Sequence, residues 1–354
     1  MNKKAIWWVV AVIILILIVI IVSRSNKDSS VNGQFTVGAV LPMTGPAALW
    51  GETVKNGMEL ALTKTPDIKI LYQDSKSAAA DGISAFNLLQ TQGVDLTVSE
   101  LSIVSVPLSK IALEKKVPLL VTLVAAESSS VVNEFTSRYY TNPDNYASPA
   151  FTSPISPVQT AKKIAVLYRN DELGVSVMNR IKELSTQNGK TIVLLESFKP
   201  AEADFSTVMS KVKNSGADAF IFVVSTPGEA LGIIKMATQL RLGMPIIESS
   251  GVFADLNTRA QVGSTTLYST SYDFTLPDHA TAFKTAYKAQ FGKDPNFGAA
   301  FGYDIVNLID RCISEKESVR ECLTKVDKID GIAGTASQVV PGDFVVDMHL
   351  EKVN

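Results

Sequence analysis

The stretch that decides the fold of this chain comprises residues 35–62, FTVGAVLPMTGPAALWGETVKNGMELAL. Residues 35–41 are apolar on both faces, which is typical of a buried strand in a parallel sheet. The strand ends at Pro42, a loop over 43–46 follows, and apolar residues at helical spacing predict a helix over 48–64. In an open α/β sheet such a loop lies at the carboxyl ends of the strands, where ligands bind.

One aromatic residue, Trp50, stands just past this loop. Its position makes it a candidate wall for a ligand. The alternative is a half-buried packing residue with no contact to any ligand.

The strand–loop–helix unit recurs along the chain. Further strands are predicted at 68–72, 95–98, 117–122, 138–140, 163–168, 191–197, 219–224, 245–249 and 265–270, with helices between most of them. This alternation predicts an α/β fold with parallel sheets and right-handed crossovers. A chain of 354 residues, 46% of them hydrophobic, is long enough for two lobes.

The opening motif resembles the solute-binding proteins of the leucine/isoleucine/valine-binding family. It comprises Leu41-Pro42-Met43-Thr44-Gly45, then Ala47 or Ala48, Gly51 and Gly57. Later segments at 170–174, 204–206 and 297–304 resemble the same family, so that the resemblance runs from about residue 35 to the C-terminus.

This resemblance implies a type I periplasmic-binding fold, in which two Rossmann-like lobes are joined by a three-strand hinge. The implied division is 34–145 and 273–328 for lobe 1, 146–272 for the first part of lobe 2, and 329–354 for strands completing lobe 2 and the hinge. Crossovers are expected near 141–158, 271–277 and 326–338, and paired connections of this kind allow closure over a ligand. Prolines 149, 154 and 157 predict a short or broken helix in the first of them.

The N-terminus predicts a membrane anchor. Residues 5–22 contain no polar side chain, and a helix of this length spans about 27 Å, close to the hydrocarbon core of a bilayer. We expect an uncleaved transmembrane helix over 1–23 and a flexible linker over 24–33. The alternative is a cleaved signal peptide. The family resemblance implies a single-pass protein of the cell membrane, with its large domain on the extracytoplasmic side.

Composition and motifs argue against several classes of protein. A net charge of −2 disfavours a nucleic-acid partner. Two cysteines and two histidines leave little material for metal sites. Nucleotide-binding, zinc-protease and serine-hydrolase motifs do not occur in the sequence, so we expect neither an enzyme nor a cofactor.

Small and polar residues follow the strand ends, where both lobes should face a shared crevice. Together with the resemblance they give this set of candidate ligand-binding residues: Trp50, Ser102, Ile103, Thr122, Ala125, Ala126, Leu173, Thr226 and Ser250. The helix expected to begin near Ser105 could hold a carboxylate at its first N–H groups. The alternative for any single serine or threonine is a strand end or a helix cap.

The resemblance also bears on the kind of ligand. Family members that bind α-amino acids place an aromatic residue and an ammonium-binding acid in lobe 2, where this chain has Thr226 and Ser250. A buried ammonium group without a partner is costly. An amino-acid-like ligand is therefore possible but disfavoured.

Three functions remain open at this point. The first is a solute-binding protein that delivers a small polar ligand to an ABC importer, whose permease and ATPase are separate chains. The second is a membrane-anchored ectodomain that senses a ligand or has a purely structural role. The third, a tethered α/β enzyme, lacks a recognisable nucleophile–base pair.

The two cysteines, Cys312 and Cys322, are expected to form a disulfide. Both lie in the part placed outside the cytoplasm, where oxidation is permitted. A loop over 314–318 between two helices can bring them within reach of each other. The alternative is a pair of free buried thiols.

The predicted anchor can be tested by fractionation. Full-length protein should sediment with membranes and keep its N-terminus, because residues 5–22 can span a bilayer and no small-x-small cleavage site follows. N-terminal sequencing of the mature protein checks this. A mature chain that starts between residues 24 and 34 would contradict the prediction.

Overall fold

The computed structural model describes residues 34–353, except 201, 277 and 316. The predicted anchor at 1–23 and linker at 24–33 lie outside the described residues. Among the helices that are described, none is both long and apolar enough to cross a membrane.

In the part of the chain that the structure describes, fourteen strands form two sheets. They are β1 Phe35–Leu41, β2 Ile68–Asp74, β3 Leu96–Glu100, β4 Leu119–Thr122, β5 Thr136–Tyr140, β6 Lys163–Arg169, β7 Thr191–Phe198, β8 Ala219–Val223, β9 Ile246–Glu248, β10 Leu267–Ser271, β11 Lys328–Asp330, β12 Thr335–Val340, β13 Asp343–Val346 and β14 His349–Lys352. The first sheet has the order β11-β12-β13-β5-β4-β3-β1-β2, and the second has the order β14-β10-β9-β8-β6-β7.

Twelve α-helices in the described residues connect and cover the strands. They are α1 Ala48–Leu62, α2 Ala79–Thr91, α3 Ser102–Lys115, α4 Ser128–Val131, α5 Pro143–Thr152, α6 Glu172–Gln187, α7 Ser206–Asn214, α8 Pro227–Gln239, α9 Leu256–Arg259, α10 Thr281–Phe291, α11 Phe297–Ile313 and α12 Val319–Lys325. Short 3-10 helices lie at Pro157–Gln159, Val252–Ala254 and Asp273–Thr275.

The centre of each sheet is parallel, as the alternation of strands and helices predicts. In lobe 1 the pairs β1–β3, β3–β4 and β4–β5 are parallel. In lobe 2 the same holds for β6–β7, β6–β8, β8–β9 and β9–β10. The two lobes therefore have the predicted α/β architecture.

The C-terminal strands correct the predicted division of the chain. Strand β13 pairs in parallel with β5, and β12 and β11 follow it in antiparallel order, so all three extend the sheet of lobe 1. Only β14 joins lobe 2, where it pairs antiparallel with β10. The third crossover consequently lies at 347–348, between β13 and β14, and not near 326–338.

The returning helix α11 packs against α1 at very close range. A Cβ added at Gly57 would lie 1.9 Å from the carbonyl oxygen of Ala299, and one at Gly302 would lie 2.1 Å from that of Val54. Any larger residue would force the two backbones apart. The glycine of the opening motif therefore serves helix packing, and it brings the start of α11 beside Trp50.

Two local expectations concern helix boundaries. The proline-rich region forms the short helix α5, which contains Pro149 and ends at Ser153, followed by a 3-10 turn. Helix α3 starts at Ser102 and not near Ser105. The earlier start is possible because Leu101 takes a left-handed φ of 69°, which turns the chain directly from β3 into the helix.

Cys312 at the end of α11 and Cys322 in α12 are joined by a disulfide bond, with their Cα atoms 5.5 Å apart. Ser318 precedes α12 and forms a capping box with Glu321. The Ser318 hydroxyl accepts a hydrogen bond from the Glu321 N–H, and the Glu321 carboxylate accepts one from the Ser318 N–H. This cap fixes the turn that brings the two cysteines together.

Reduction should therefore destabilise the protein. A disulfide that closes a loop of this length stabilises the folded protein by about 2–3 kcal/mol, because it lowers the conformational entropy of the unfolded chain. Urea unfolding of oxidised and reduced wild-type protein measures the difference without altering any side chain. Two titratable thiols per chain in unfolded, unreduced protein would contradict the bridge.

Candidate functional site

An aromatic wall runs from lobe 1 towards the hinge. The half-buried ring of Trp50, in the first turn of α1, lies 5.0 Å from the ring of Phe297. The Phe297 ring lies 5.4 Å from that of Tyr272, which directly follows β10 in the second crossover. Trp50 thus stands at the outer end of a continuous aromatic surface.

Three tyrosine hydroxyls tie the crossovers together. The Tyr140 and Tyr146 hydroxyls are 2.7 Å apart, and those of Tyr146 and Tyr272 are 3.1 Å apart. All three groups are buried, and burial raises the pKa of each hydroxyl. Asn145 adds a bond to the third crossover, because its side-chain amide donates to the Val346 carbonyl at 3.0 Å. The hinge is therefore a connected, uncharged hydrogen-bond network.

The network reaches the lobe 2 loop that contains Ser250. The Ser249 hydroxyl donates to the Tyr146 carbonyl at 2.7 Å. Contacts between neighbours thus lead from Trp50 through Phe297, Tyr272 and Tyr146 to Ser249. These contacts connect Trp50 in lobe 1 with the lobe 2 loop that contains Ser249 and Ser250.

Ser250 is buried and its hydroxyl is already engaged. It donates to the Glu248 carboxylate and accepts from the Val224 backbone N–H at 3.2 Å. Glu248 also accepts from the Ser250 N–H at 2.6 Å and from the Ser269 hydroxyl at 2.7 Å. Burial raises the pKa of Glu248, and these bonds offset part of that rise. This acid is satisfied inside lobe 2.

The lobes also approach each other at the first turns of α3 and α6. The Ser102 side chain lies close enough to the Glu172 carboxylate, beside Leu173, to lower the pKa of that group. Partial burial and the nearby charge of Asp171 raise the pKa of Glu172, and the proximity of Ser102 offsets part of this. Ile103, in the same turn of α3, is 59% exposed. Ser102 and Ile103 therefore lie in the first turn of α3, and Leu173 lies in the first turn of α6, which faces it.

The remaining lobe 2 loops are held by their own contacts. Thr226 is the N-cap of α8, where its hydroxyl accepts from the Glu229 N–H at 3.4 Å. The Ser225 hydroxyl donates to Asp171 at 3.0 Å. Thr226 is exposed, so capping the helix leaves part of its side chain accessible.

A buried guanidinium holds the loop that follows β4. Arg138 donates to both Asp343 carboxylate oxygens at 2.7 and 2.8 Å, and to the carbonyls of Val124 and Ala126 at 3.2 and 2.5 Å. Neither member of the ion pair has any exposed side-chain surface. The position of Ala125 and Ala126 thus depends on this charge.

Thr122 needs correction as a candidate contact. It has no exposed surface, and its hydroxyl donates to the Tyr139 carbonyl at 3.0 Å. The structure assigns it to holding β4 against β5. Ala126 is likewise fully buried, whereas Ala125 keeps 8% of its surface exposed.

The sequence interpretation missed the residues that complete the site. Phe297 and Tyr272 were seen only as parts of a helix and a crossover, and their ring contacts depend on the chain's return to lobe 1. Glu100 is not among the residues predicted from the sequence. It is fully buried, and neither carboxylate oxygen has a hydrogen-bond partner. A charged residue at the end of an apolar strand was the available signal.

A polar groove of about 250 Å³ lies beside this crevice, between Glu127 of lobe 1 and Arg180 of lobe 2. Arg180 is already paired with Asp144 and Glu183. Within the described part of the chain, no group of three or more His, Cys, Asp or Glu side chains is placed to hold a metal ion.

Two α/β lobes, each built on a sheet with a parallel centre and joined by three crossovers, define a two-lobed α/β fold. The chain belongs to the periplasmic binding protein family, whose sequence profile matches residues 34–344. The resemblance to leucine/isoleucine/valine-binding proteins is thereby confirmed.

Curated relatives are similar in sequence to part of this chain. Leu/Ile/Val-binding protein homolog 3 of Brucella melitensis is 27% identical over 204 residues, which is 55% of each chain. Leu/Ile/Val-binding protein BraC3 of Rhizobium johnstonii is 25% identical over 198 residues, or 53% of each. The match spans only about half the length of these relatives.

Solved structures share the fold. The branched-chain amino acid transporter substrate binding protein LivJ of Streptococcus pneumoniae, in complex with isoleucine, has a TM-score of 0.75 at 20% identity, covering 90% of this chain and 99% of its own. A solute binding protein of an ABC transporter from Rhodopseudomonas palustris, in complex with 3,4-dihydroxybenzoic acid, has a TM-score of 0.75 at 20% identity, covering 90% and 93%. At this identity the likeness concerns the fold alone.

The buried ion pair generates a stability prediction. Asp343→Asn leaves the Arg138 charge buried without its counter-ion, which should lower the free energy of unfolding by about 3–5 kcal/mol. Urea denaturation measures this. Glu196→Gln is the control, because it breaks the exposed ion pair with Lys211. It should lower the free energy of unfolding by less than about 1 kcal/mol. Equal costs for the two variants would contradict the role given to Arg138.

Proposed function

We propose that this chain is an extracytoplasmic solute-binding protein, which captures a small polar ligand between its lobes and delivers it to an ABC importer. The permease and the ATPase would be separate chains. The observation that supports the proposal is the approach of the two lobes at Ser102 and Glu172, near the strand ends of both sheets. Open α/β sheets bind ligands at this end of their strands.

The accessible candidates divide by role. Trp50 offers a flat apolar face, and Ser102 offers a hydroxyl whose present partner, Glu172, belongs to the other lobe. Ile103, Ala125 and Leu173 would shape the entrance. Thr226 would supply a polar contact from lobe 2, while the engaged hydroxyl of Ser250, together with Thr122 and Ala126, would support the floor from behind.

The contacts of Ser250 argue against one class of ligand, the α-amino acids. Ser250 stands where an ammonium-binding acid is expected, and the nearby Glu248 is committed to Ser250 and Ser269. This arrangement disfavours the lobe 2 clamp for an α-amino acid. Isoleucine and 3,4-dihydroxybenzoic acid in similar folds indicate that such crevices hold both aliphatic and aromatic ligands.

Membrane attachment completes the proposal. Residues 5–22 would anchor the protein as a single transmembrane helix, with 24–33 as a tether. The disulfide between Cys312 and Cys322 supports an extracytoplasmic location, because such bonds are rare in reducing compartments.

The hinge supports capture by closure. Three crossovers join the lobes, and the tyrosine hydroxyls between them carry no charge that would have to be desolvated as the lobes move. Hinge closure around a ligand is an established use of such connections. A ligand bound between the lobes would then stabilise the closed form.

A thermal-shift screen of the full chain in detergent tests the proposal. Amino acids, short amides, sugars, amines and aromatic acids make up the panel. A ligand present at 100 times its Kd should stabilise the native state by about 2.7 kcal/mol and raise Tm accordingly.

Trp50→Ala should weaken the binding of any hit at least tenfold, because it removes the aromatic wall. Leu49→Ala is the matched control, since Leu49 is its 50% exposed neighbour in the same helix turn. The proposal fails if no compound raises Tm, or if the Trp50 variant binds the hit as tightly as the Leu49 variant does.

A further inference from the structure

One buried carboxylate in the described residues differs from all the others. Glu100 has no exposed surface, and both of its carboxylate oxygens lack a hydrogen-bond partner. The other buried carboxylates are satisfied: Glu229 by Ser225 and Arg169, Glu248 by Ser250 and Ser269, Asp304 by Tyr139, Ile332 and Ala333, and Asp343 by Arg138 and Ser128. An unpartnered buried carboxylate is costly, so its retention requires an explanation.

Glu100 lies at a strand end beside the proposed ligand crevice, and because it is fully buried a ligand would reach it only when the lobes open. It is the last residue of β3 and lies in register with Thr122 at the end of β4. Two residues later comes Ser102, which meets lobe 2 at Glu172. Leu101 between them is held at a φ of 69°, an unfavourable conformation for a branched side chain. Such strain is concentrated at functional sites, and here it fixes the direction of the chain on both sides of Leu101.

The surroundings of Glu100 are aromatic. Its charge interacts with the Tyr140 hydroxyl, and the Tyr140 ring lies 4.9 Å from that of Phe301. Phe301 in turn lies 5.3 Å from Tyr272, the inner end of the wall that begins at Trp50. Ring faces attract cations, and a carboxylate beside them adds a full opposite charge.

We infer that Glu100 is the charge-recognising residue of the crevice, and that the ligand carries a cationic nitrogen, an ammonium or guanidinium group, which donates hydrogen bonds to this carboxylate. The inference rests on the proposed solute-binding function and adds the class of ligand to it. Lobe 1 would thus supply the acid that the Ser250 position of lobe 2 lacks. A cationic donor would satisfy both orphaned oxygens at once and neutralise the buried charge.

Binding should be coupled to a proton. Burial raises the pKa of Glu100 well above its ordinary value and so favours the protonated carboxyl when no cation is bound. A cation that pairs with the carboxylate displaces this proton to the buffer, and affinity therefore rises with pH. The titratable group that interacts electrostatically with Glu100 is Tyr140, whose hydroxyl stays protonated because burial raises its pKa as well.

Isothermal titration of the full chain with paired probes tests the inference. Isopentylamine, benzylamine and agmatine are the cations, and isovalerate and benzoate are carboxylates on related skeletons. Wild-type protein should bind at least one amine at least tenfold more tightly than its carboxylate counterpart. Titrations in buffers of different ionisation enthalpy should show release of about one proton per bound amine.

Glu100→Gln keeps the shape of the side chain and removes its charge, so it should lose at least tenfold in amine affinity and release no proton. Glu114→Gln is the matched control, because it makes the same change of charge at an exposed position of α3. Its amine affinity should equal that of the wild type. The comparison of amines with carboxylates on wild-type protein needs no variant and holds even if Glu100→Gln does not fold.

The possible failures are distinguishable. Preferential binding of carboxylates, or unchanged amine affinity in folded Glu100→Gln, overturns the role of Glu100 and leaves the solute-binding function standing. If neither these probes nor any compound of the wider panel binds, the proposed function fails and the inference fails with it.

Discussion

The structure depends on the buried guanidinium of Arg138. This side chain pairs with Asp343 in the neighbouring parallel strand, and it also binds the carbonyls of the loop after β4. One charge therefore joins the C-terminal hairpin to lobe 1 and positions the Ala125–Ala126 edge of the crevice. Because a buried ion pair that loses one member leaves an uncompensated charge, the two roles cannot be separated. The third crossover follows directly from β13, so the hinge depends on this pair as well.

From that framework the crevice is assembled by contacts between distant segments. Close backbone approach at Gly57 and Gly302 brings the start of α11 to α1, which places Phe297 beside Trp50. The tyrosine hydroxyls then connect the first two crossovers without any net charge. Glu100, at the end of β3, is the buried acid that these contacts leave without a partner among the described residues. Both of its carboxylate oxygens are without a hydrogen-bond partner, and this sets it apart from the other buried acids of the described residues.

Local pattern was sufficient for much of this architecture. The unit at 35–62 was predictable because a buried strand, a Gly/Pro loop and an amphipathic helix each leave a short-range signal. The placement of β13 was not, because its partner β5 lies about 200 residues away and the ion pair that joins them has no local signature. The same holds for Phe297 and Tyr272, whose rings meet only after the chain returns. Of the predicted site residues, Thr122 failed for a physical reason: its hydroxyl is used by a neighbouring strand.

The claim that a ligand binds between the lobes can be tested most directly through Trp50. The chain has three tryptophans, so a full-length variant carrying Trp7→Phe and Trp8→Phe leaves Trp50 as the single indole. Its fluorescence should be measured while the ligand found by thermal shift is titrated. The account predicts a saturable change in emission with the same Kd as that obtained by calorimetry. Unchanged Trp50 emission at ligand concentrations that raise Tm would show that the ligand binds away from the aromatic wall, and would contradict the account.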